Sequence, residues 1–533
     1  MRGYFDNSAR LARLMLRRER FITGIWLAVF LFLSTVIPGV LNTQFGSPKD
    51  LLALRITMQN PAMIAMMGPV YGADNYTVGA MYSNMMLLLT LVASAIMNIF
   101  LVARHTRADE EKGRLEVIRS LPVGRLANIH GAMLTALIVN AAMTLCSGPV
   151  MLALNIKSID LSGSLLYGAA IGATGLFFAA VAAVFCQLSN NSRGASGYSF
   201  AFLGLCYLAR AVGDINHEPL SRLSPLGLIL RAQVFVKNAW WPLWVILALT
   251  ALVTAATYYL CTQRDMDQGF IPVKPGRKRA SALLQGPFGL TARLTRNMIL
   301  AWAIGMFLFG ASYGSVMGDV ESFISHNALF QLMLPKSPDY STAELFITML
   351  NIMLALSCVA PVYMALFKLR GEEKDHRAEH ILGRAVSRYR YLAGYVIIAF
   401  IACALMPFMA VVGLWSASAP VMDTPVAFGS MLKAMMAYVP ALWLMLGLAV
   451  LCLGLWPRGT SVCWAYFGYA FFSAYMGRML GIPEWALKLS PFGFIPMLPL
   501  EPIHPPTLLI MSALAFALTG LGFVLYRRRD MRA

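Results

Sequence analysis

RHTRADEEKGRLEVIRSLPVGR, residues 104–125, stands between two long apolar runs of this 533-residue chain. Ten of its 22 residues are Asp, Glu, Lys or Arg, although only 13% of the whole chain is charged. Uncharged runs of about twenty residues have the length that a helix needs to cross roughly 30 Å of hydrocarbon. The charged stretch is therefore interpreted as a segment outside the bilayer that connects two membrane spans.

The composition indicates a membrane protein along the whole chain. The mean hydropathy is +0.65, and the charged fraction is well below that of soluble domains, which is about a quarter. The apolar runs are continuous and do not alternate with polar residues, which favours helices over a β-barrel. The predicted fold is an all-α polytopic membrane protein with twelve transmembrane helices, at 22–41, 82–103, 129–154, 163–187, 195–212, 240–262, 298–317, 345–367, 391–416, 429–455, 461–479 and 506–526.

The distribution of basic residues predicts the orientation in the membrane. With the N-terminus inside, the cytoplasmic segments hold 32 of the 43 Lys and Arg residues, which agrees with the positive-inside rule. Both termini are therefore predicted to be cytoplasmic. The net charge of +18 reflects this topology and contact with anionic lipid, and it indicates no nucleic-acid partner. The eight Cys residues form no CxxC or CxxH pair, which argues against a metal site.

An internal repeat with an offset of about 265 residues explains the length of the chain. RADEEKGRLEVIRSLPVGR from Arg107 aligns with RGEEKDHRAEHILGRAVSR from Arg370, and further pairs follow in the same order. These pairs are RGAS at Arg193 with RGTS at Arg458, LSPLG at Leu223 with LSPFG at Leu489, and RDM at Arg264 with RDM at Arg529. The chain is therefore predicted to contain two tandem six-helix halves in the same orientation, residues 1–267 and 291–533, joined by a cytoplasmic linker at 268–290.

The charged stretch occurs once in each predicted half, and its spacing suggests a helix. Glu110 precedes Arg114 by four residues, as Glu373 precedes Arg377, and this order stabilises a helix face. A solvated loop would explain a single copy. The duplication with the same charges favours a cytosolic helix that binds a partner.

The repeated pattern R-x-x-E-x-x-x-R-x-E…V-x-R resembles the permease subunits of type-2 ATP-binding-cassette exporters, in particular the duplicated permeases described as polyketide antibiotic exporters. The resemblance implies a bacterial cytoplasmic membrane protein whose charged helices fit clefts on two copies of a separate ATPase. ATP and Mg would bind to that ATPase. The coupling residues implied by the resemblance are Arg107, Glu110, Gly113, Arg114, Glu116, Arg125, Arg370, Glu373, Arg377, Glu379 and Arg388.

The same resemblance implies roles for other segments. SARLARLMLRRER at Ser8 and TARLTRNM at Thr291 would be separate elbow helices before the first and seventh spans, and the LSPxG motifs would lie in short re-entrant helices on the outer side. The second copy departs from the first, because His376 replaces Gly113 and Ala385 replaces Pro122. Its coupling helix is therefore expected to be the weaker of the two.

No GxxxxGK[ST] phosphate loop occurs in the sequence, so this chain is not expected to hydrolyse ATP by itself or to carry a cofactor. The favoured function is the export of a hydrophobic or amphipathic compound such as an antibiotic, a drug or a lipid-like molecule. The 33 Met residues suit an adaptable apolar cavity, since Met repacks readily around varied ligands.

Two other functions agree less well with the sequence than export does. An ion-driven secondary carrier needs ionisable groups inside the membrane, and the predicted spans contain Asp or Glu only near their ends. A membrane enzyme acting on lipid-linked substrates could use acids of the outer loops, which are interpreted as ordinary solvated residues. These acids are Asp214, Glu218, Asp319, Glu321 and Glu501. Arg210 and Arg478 lie at outer span ends, where their side chains are expected to extend to the membrane surface.

The topology can be tested with single introduced cysteines. Cysteines at Gly46, Ser158 and Ser322 are expected to react with an impermeant maleimide in intact cells, because these positions follow odd-numbered predicted spans. A cysteine at Ser281 is expected to react only after the membrane is opened. The parent chain gives the background from native Cys, and labelling of Ser281 from outside would contradict the topology.

Overall fold

The fold is taken from a computed structural model, in which every regular element of the described chain is a helix. The structure describes residues 3–59, 61–216, 218–265, 268–271, 279, 281, 284, 286–315, 317–319, 342–422, 426–456, 459–476, 483–496 and 504–530. The chain divides into two compact units, Met1–Pro275 and Gly276–Ala533, here called unit 1 and unit 2. The predicted features at Arg458, Arg478, Glu321 and Glu501 lie outside the described residues.

Unit 1 combines long helices with short helices in the connections. The α-helices are α1 (Ser8–Phe45), α2 (Pro48–Met58), α3 (Pro61–Met67), α4 (Val78–His105), α5 (Arg107–Glu111), α6 (Arg114–Arg119), α7 (Ala127–Ser147), α8 (Leu161–Leu188), α9 (Ser192–Asn216), α10 (Glu218–Leu223), α11 (Pro225–Leu230) and α12 (Trp241–Gln263). Short 3₁₀-helices occur at Ala73–Asn75 and Pro149–Leu154.

Unit 2 has a corresponding succession of elements. Its α-helices are α13 (Pro287–Gly314), α14 (Thr342–Ser357), α15 (Val359–Lys374), α16 (Arg377–Leu382), α17 (Arg388–Ser418), α18 (Phe428–Met436), α19 (Val439–Leu455), α20 (Thr460–Met476), α21 (Glu484–Leu487) and α22 (Pro505–Arg528). Short 3₁₀-helices occur at Met317–Asp319 and Pro491–Phe494. Each LSPxG motif thus lies beside short helices, α10 and α11 in unit 1 and α21 in unit 2.

Ten helical segments in the described residues are long and apolar enough to cross a membrane, five in each unit, compared with the twelve predicted spans. The two further predicted spans correspond to α9 and α20. Helix α9 is less apolar because it carries Arg193, Arg210 and Asp214. Helix α20 has 17 described residues, about 26 Å at 1.5 Å per residue.

The first helix is continuous through the segment that was expected to form a separate elbow. Helix α1 has 38 residues, a length of about 57 Å, and it includes both the Arg-rich start and the first apolar run. Helix α13 likewise includes Thr291 and the apolar run that follows it. The prediction of separate elbow helices is wrong for both units, since no Pro interrupts either junction and Gly24, near the junction in α1, lies within the continuous helix.

Polar side chains join α4, α7 and α8 inside unit 1. Asn98 on α4 and Asn140 on α7 are fully buried and exchange amide hydrogen bonds of 3.1 and 2.7 Å. Tyr82 donates to the hydroxyl of Tyr167 on α8 at 3.0 Å. An unpaired amide or hydroxyl is costly in hydrocarbon. These bonds therefore fix the register of the three helices.

In unit 2 the helices α13 and α17 pack closely through small residues. A Cβ atom at Gly310 would overlap the carbonyl of Ala410, and one at Gly413 would overlap the carbonyl of Phe307. Glycines make the same kind of contact between α19 and α22. Close backbone approach of this kind is a main source of packing energy between helices in membranes.

The buried amide pair generates a stability prediction. A Cβ atom at Gly175 would overlap the side chains of Asn140, Asn98 and Ser94, so Gly175→Ala is expected to destabilise unit 1 by about 1–3 kcal/mol through overpacking. Gly197→Ala is the matched control, because nothing lies within 4 Å of a Cβ atom there. Thermal unfolding of the purified protein measures both variants. Equal melting temperatures would contradict the prediction.

Candidate functional site

The charged stretch of unit 1 folds as two short helices and not as one. Helices α5 and α6 are separated by Gly113, whose φ of 67° lies in the left-handed region. Glycine adopts this conformation without the clash that a Cβ atom causes. The single helix inferred from the four-residue spacing of Glu110 and Arg114 is therefore wrong. Residues 107–119 in unit 1 and 370–382 in unit 2 are called the charged turns below.

The charged turn of unit 2 has the same break. His376, between α15 and α16, has a φ of 57°. The left-handed conformation costs a residue other than glycine about 1–2 kcal/mol. Unit 2 keeps the break despite this cost, so the replacement of Gly113 by His376 does not change the backbone of the turn. The departure of the second copy at this position therefore does not extend to its local backbone geometry.

In unit 1 a buried ion pair ties the charged turn to the end of α12. Arg264 donates from Nη2 to both carboxylate oxygens of Glu110, at 2.8 and 2.7 Å. Arg107 contacts the same carboxylate at 2.8 Å and donates to the carbonyl of Asn190 at 2.8 Å. The side chains of Arg107 and Glu110 are only 2% and 4% exposed. Arg107 and Glu110, which were predicted to be coupling residues, therefore hold the turn against the end of α12 and the segment before α9.

Unit 2 makes the equivalent contact at the end of α22. Arg529 donates to Glu373 at 2.7 Å. Arg388 donates to the main-chain carbonyl of Arg529 at 2.7 Å, and Arg125 in unit 1 is 3.4 Å from the corresponding carbonyl of Arg264. The sequence anchors of the charged stretch and of the RDM motif are therefore in direct contact within each unit.

A third sequence anchor reaches the same place. Arg107 bonds the carbonyl of Asn190 just before α9, and Arg370 donates to the hydroxyl of Thr460 at the start of α20. Asn190 lies three residues before the RGAS motif, and Thr460 is the third residue of the RGTS motif. The charged turn of unit 1 thus contacts both the segment before α9 and the end of α12. That of unit 2 contacts both the start of α20 and the end of α22.

Sequence reasoning missed one acidic position in each charged turn. Asp109 accepts from Arg18 at 2.8 Å and from Arg114 at 3.0 Å. In unit 2, Glu372 contacts Arg377 at 3.1 Å. Asp109 and Glu372 occupy equivalent positions of the repeat, but they are not identical residues. Matching the two copies by charge would have revealed them, whereas matching by identity did not.

The second short helix of each charged turn has an outward face. Glu116 on α6 is exposed and is followed by Val117, whose side chain is 68% exposed. Leu121 is also exposed just after the helix. On α16 the exposed Glu379 lies 2.9 Å from His376. Among the predicted coupling residues, the most accessible acids are therefore Glu116 and Glu379.

An apolar groove of about 300 Å³ extends this face in unit 1. It lies between the Arg-rich start of α1 and the short helix α6. The groove is lined by Leu11, Leu14, Met15, Arg18, His105, Asp109, Arg114, Val117 and Ile118. The beginning of α1 and the charged turn therefore form one continuous surface with an apolar floor and charged borders.

Two acids proposed for the outer loops differ in their surroundings. The side chain of Asp214 is 2% exposed and pairs with the fully buried side chain of Arg210 at 3.3 Å. The predictions that Asp214 is solvated and that the Arg210 side chain extends to the membrane surface are therefore both wrong. Arg210 instead donates to main-chain carbonyls at the end of α3. Glu218 is exposed, and hydrogen bonds from Arg222 and Arg231 lower its pKa.

Comparison with known proteins places this architecture in a family. A family model described as "Multidrug efflux system permease Rv1217c, C-terminal domain" matches residues 11–260 and 284–527. The multidrug efflux system permease protein Rv1217c of Mycobacterium tuberculosis (strain ATCC 25618 / H37Rv) is 34% identical over 536 residues. The alignment covers 99% of this chain and 96% of that relative. The chain belongs to this permease family.

Family membership confirms several predictions from the sequence. The resemblance to permeases of ATP-binding-cassette exporters is confirmed. The permease is a transport protein and, with its ten membrane-length helices in the described residues, a multi-pass protein of the cell membrane. The family match includes both charged turns, whereas Arg264 and Arg529, which pair with Glu110 and Glu373, lie just beyond the matched residues.

The buried ion pair of unit 1 can be tested by removing its partners in turn. Glu110→Gln is expected to lower stability by about 3–5 kcal/mol, because it leaves the cation of Arg264 buried without its counter-charge. Adding Arg264→Gln is expected to recover part of this loss. Thermal unfolding measures the set, with the exposed Glu116→Gln as control. Equal effects of Glu110→Gln and Glu116→Gln would show that the buried contact adds no stability.

Proposed function

We propose that this permease is the transmembrane subunit of an ATP-binding-cassette exporter, which moves a hydrophobic or amphipathic compound out of the cell. An antibiotic, a drug or a lipid-like molecule fits this class. The proposal depends chiefly on one observation, the two charged turns that each combine an ion-pair anchor with a short helix carrying an exposed Glu. The Mycobacterium tuberculosis relative is named a multidrug efflux permease, which supports export of drugs.

Two ATPase copies would dock on the charged turns, one on each unit, and would bind the ATP and Mg. In this arrangement the units are the tandem six-helix halves of the predicted repeat, and both termini are cytoplasmic. The concentration of basic residues in the segments on that side supports this orientation. The exposed Glu116 and Glu379 would accept charge-assisted hydrogen bonds from the ATPase.

The contacts of the charged turn suggest how ATPase movement would reach the transport path. In unit 1, Glu110 links the turn to α12 through Arg264, and Arg107 links it to the segment before α9. A buried ion pair is broken only at a large energetic penalty, so a displacement of α6 would move these elements with it. The same chain of contacts runs through Glu373 and Arg529 in unit 2.

The described interior favours an ATP-driven exporter over an ion-driven carrier. The side-chain amides of Asn98 on α4 and Asn140 on α7 form hydrogen bonds with each other between the two helices. Neutral side chains satisfied in this way offer no charge change to a coupling proton. The outer acid Asp214 is already neutralised by Arg210, which also removes it as a free catalytic group for a lipid-linked substrate.

Charge reversal on the exposed acids tests the docking function. Glu116→Lys is expected to reduce co-purification of the ATPase and substrate-stimulated ATP hydrolysis by about 10- to 100-fold, the effect of losing a charge-assisted hydrogen bond. Glu379→Lys is expected to be milder, because its carboxylate is already engaged by His376 at 2.9 Å, whereas the carboxylate of Glu116 has no hydrogen-bond partner among the described residues.

The control for both variants is Glu484→Lys on α21. Glu484 has an 87% exposed side chain and only a solvent-exposed contact with Lys488, so the charge change is the same but the predicted side of the membrane is the opposite one. Melting temperatures at matched expression exclude misfolding. Normal assembly and activity in both Glu116→Lys and Glu379→Lys would refute docking through the charged turns, and an equally severe loss would refute only the asymmetry.

A further inference from the structure

A cavity of about 580 Å³ lies in unit 1 at the start of α4, and the charged turn lies at the opposite end of that helix. Its walls come from the end of α1, from α2, from the segment before α4 and from the connection between α7 and α8. Its volume is within the range of sites for small molecules, roughly 300–1,000 Å³. None of the functions assigned above uses this cavity.

The cavity has an excess of positive charge. Two cationic side chains line it, Arg55 on α2 and Lys157 between α7 and α8, whereas the only carboxylate among the lining residues is that of Asp74. Within the described residues neither Arg55 nor Lys157 forms an ion pair. The cationic side chains are therefore available to an anion.

The geometry of Arg55 indicates a missing acceptor. Its Nη1 donates to the carbonyl of Ala73 at 2.5 Å, which holds the guanidinium in place. Its Nε is buried and has no hydrogen-bond acceptor in the described part of the protein. Buried donors are almost always satisfied by a protein group, water or ligand. The fork of donors on a guanidinium matches a carboxylate or phosphate particularly well.

The rest of the cavity wall is apolar enough for a hydrocarbon group. Leu51 and Leu52 lie on α2, one turn before Arg55, and Ile156 lies next to Lys157 in the opposite wall. Apolar contact area next to a fixed cation is the combination that binds an amphipathic anion, because the ligand buries its hydrocarbon while its charge stays paired.

We propose that this cavity binds an amphipathic molecule through an anionic carboxylate or phosphate. Arg55 and Lys157 pair with the anionic group, and Leu51, Leu52 and Ile156 contact the apolar part. The ligand has two possible sources, a phospholipid of the membrane or a free amphipathic compound. The site does not depend on ATPase docking, so its test and the test of the proposed function have separate outcomes.

The test uses the full chain in nanodiscs of phosphatidylcholine and the fluorescent probe 11-(dansylamino)undecanoic acid, with its methyl ester as the neutral counterpart. The acid is expected to bind saturably and at least about 10-fold more tightly than the ester. Arg55→Gln is expected to weaken binding of the acid about 10-fold, and Lys157→Gln to weaken it by a smaller factor because Lys157 is exposed.

Lys49→Gln is the matched control for these variants. Lys49 is an exposed cation on the same helix as Arg55, but it does not line the cavity, so its removal is expected to leave probe affinity unchanged. Leu52→Trp keeps every charge and fills part of the cavity, and it is expected to abolish binding even if Arg55→Gln cannot be purified.

Competition then identifies the source of the ligand. Displacement of the probe when phosphatidylglycerol is included in the nanodisc supports the site and assigns it to lipid. Displacement by fusidate, a soluble amphipathic carboxylate, supports it and assigns it to a free compound. Equal affinity for the acid and its ester, or unchanged binding in both Arg55→Gln and Leu52→Trp, would overturn the proposal.

Discussion

A carboxylate that leaves water at the edge of a bilayer needs a cation beside it, and the contact of Glu110 with Arg264 satisfies this need in unit 1. Glu373 and Arg529 form the equivalent contact in unit 2. Each pair joins the charged turn to the last helix of its unit, although the two partners are about 155 residues apart in the sequence. The position of the exposed helices α6 and α16 depends on this contact.

The two halves of the charged turn of unit 1 therefore differ in burial, although the sequence pattern predicted a single helix. Its first half, with Arg107 and Glu110, is buried and holds the turn in place. Its second half, with Glu116, is exposed beside an apolar groove. In the proposed docking, a partner that displaces the exposed helix would act on the buried half, which the contacts of Glu110 and Arg107 join to α12 and to the segment before α9.

Much of this organisation can be predicted from the sequence, because apolar run length and charge are local properties. The spans, the charged stretches and the anchors of the repeat are visible in this way. The break at Gly113 could not be predicted with the same certainty, since its counterpart His376 gives no sign of a left-handed conformation. The burial of Arg210 also escaped prediction, because its acceptors are main-chain carbonyls about 145 residues away.

The use of main-chain acceptors has a consequence for the divergence of the two units. Arg388 donates to the carbonyl of Arg529, and Arg125 points to that of Arg264. Every residue offers such a carbonyl, so a substitution at the accepting position does not remove the bond. The two units can therefore carry different side chains at the accepting position while each keeps this contact, and sequence identity between the charged turns understates the similarity of their local structures.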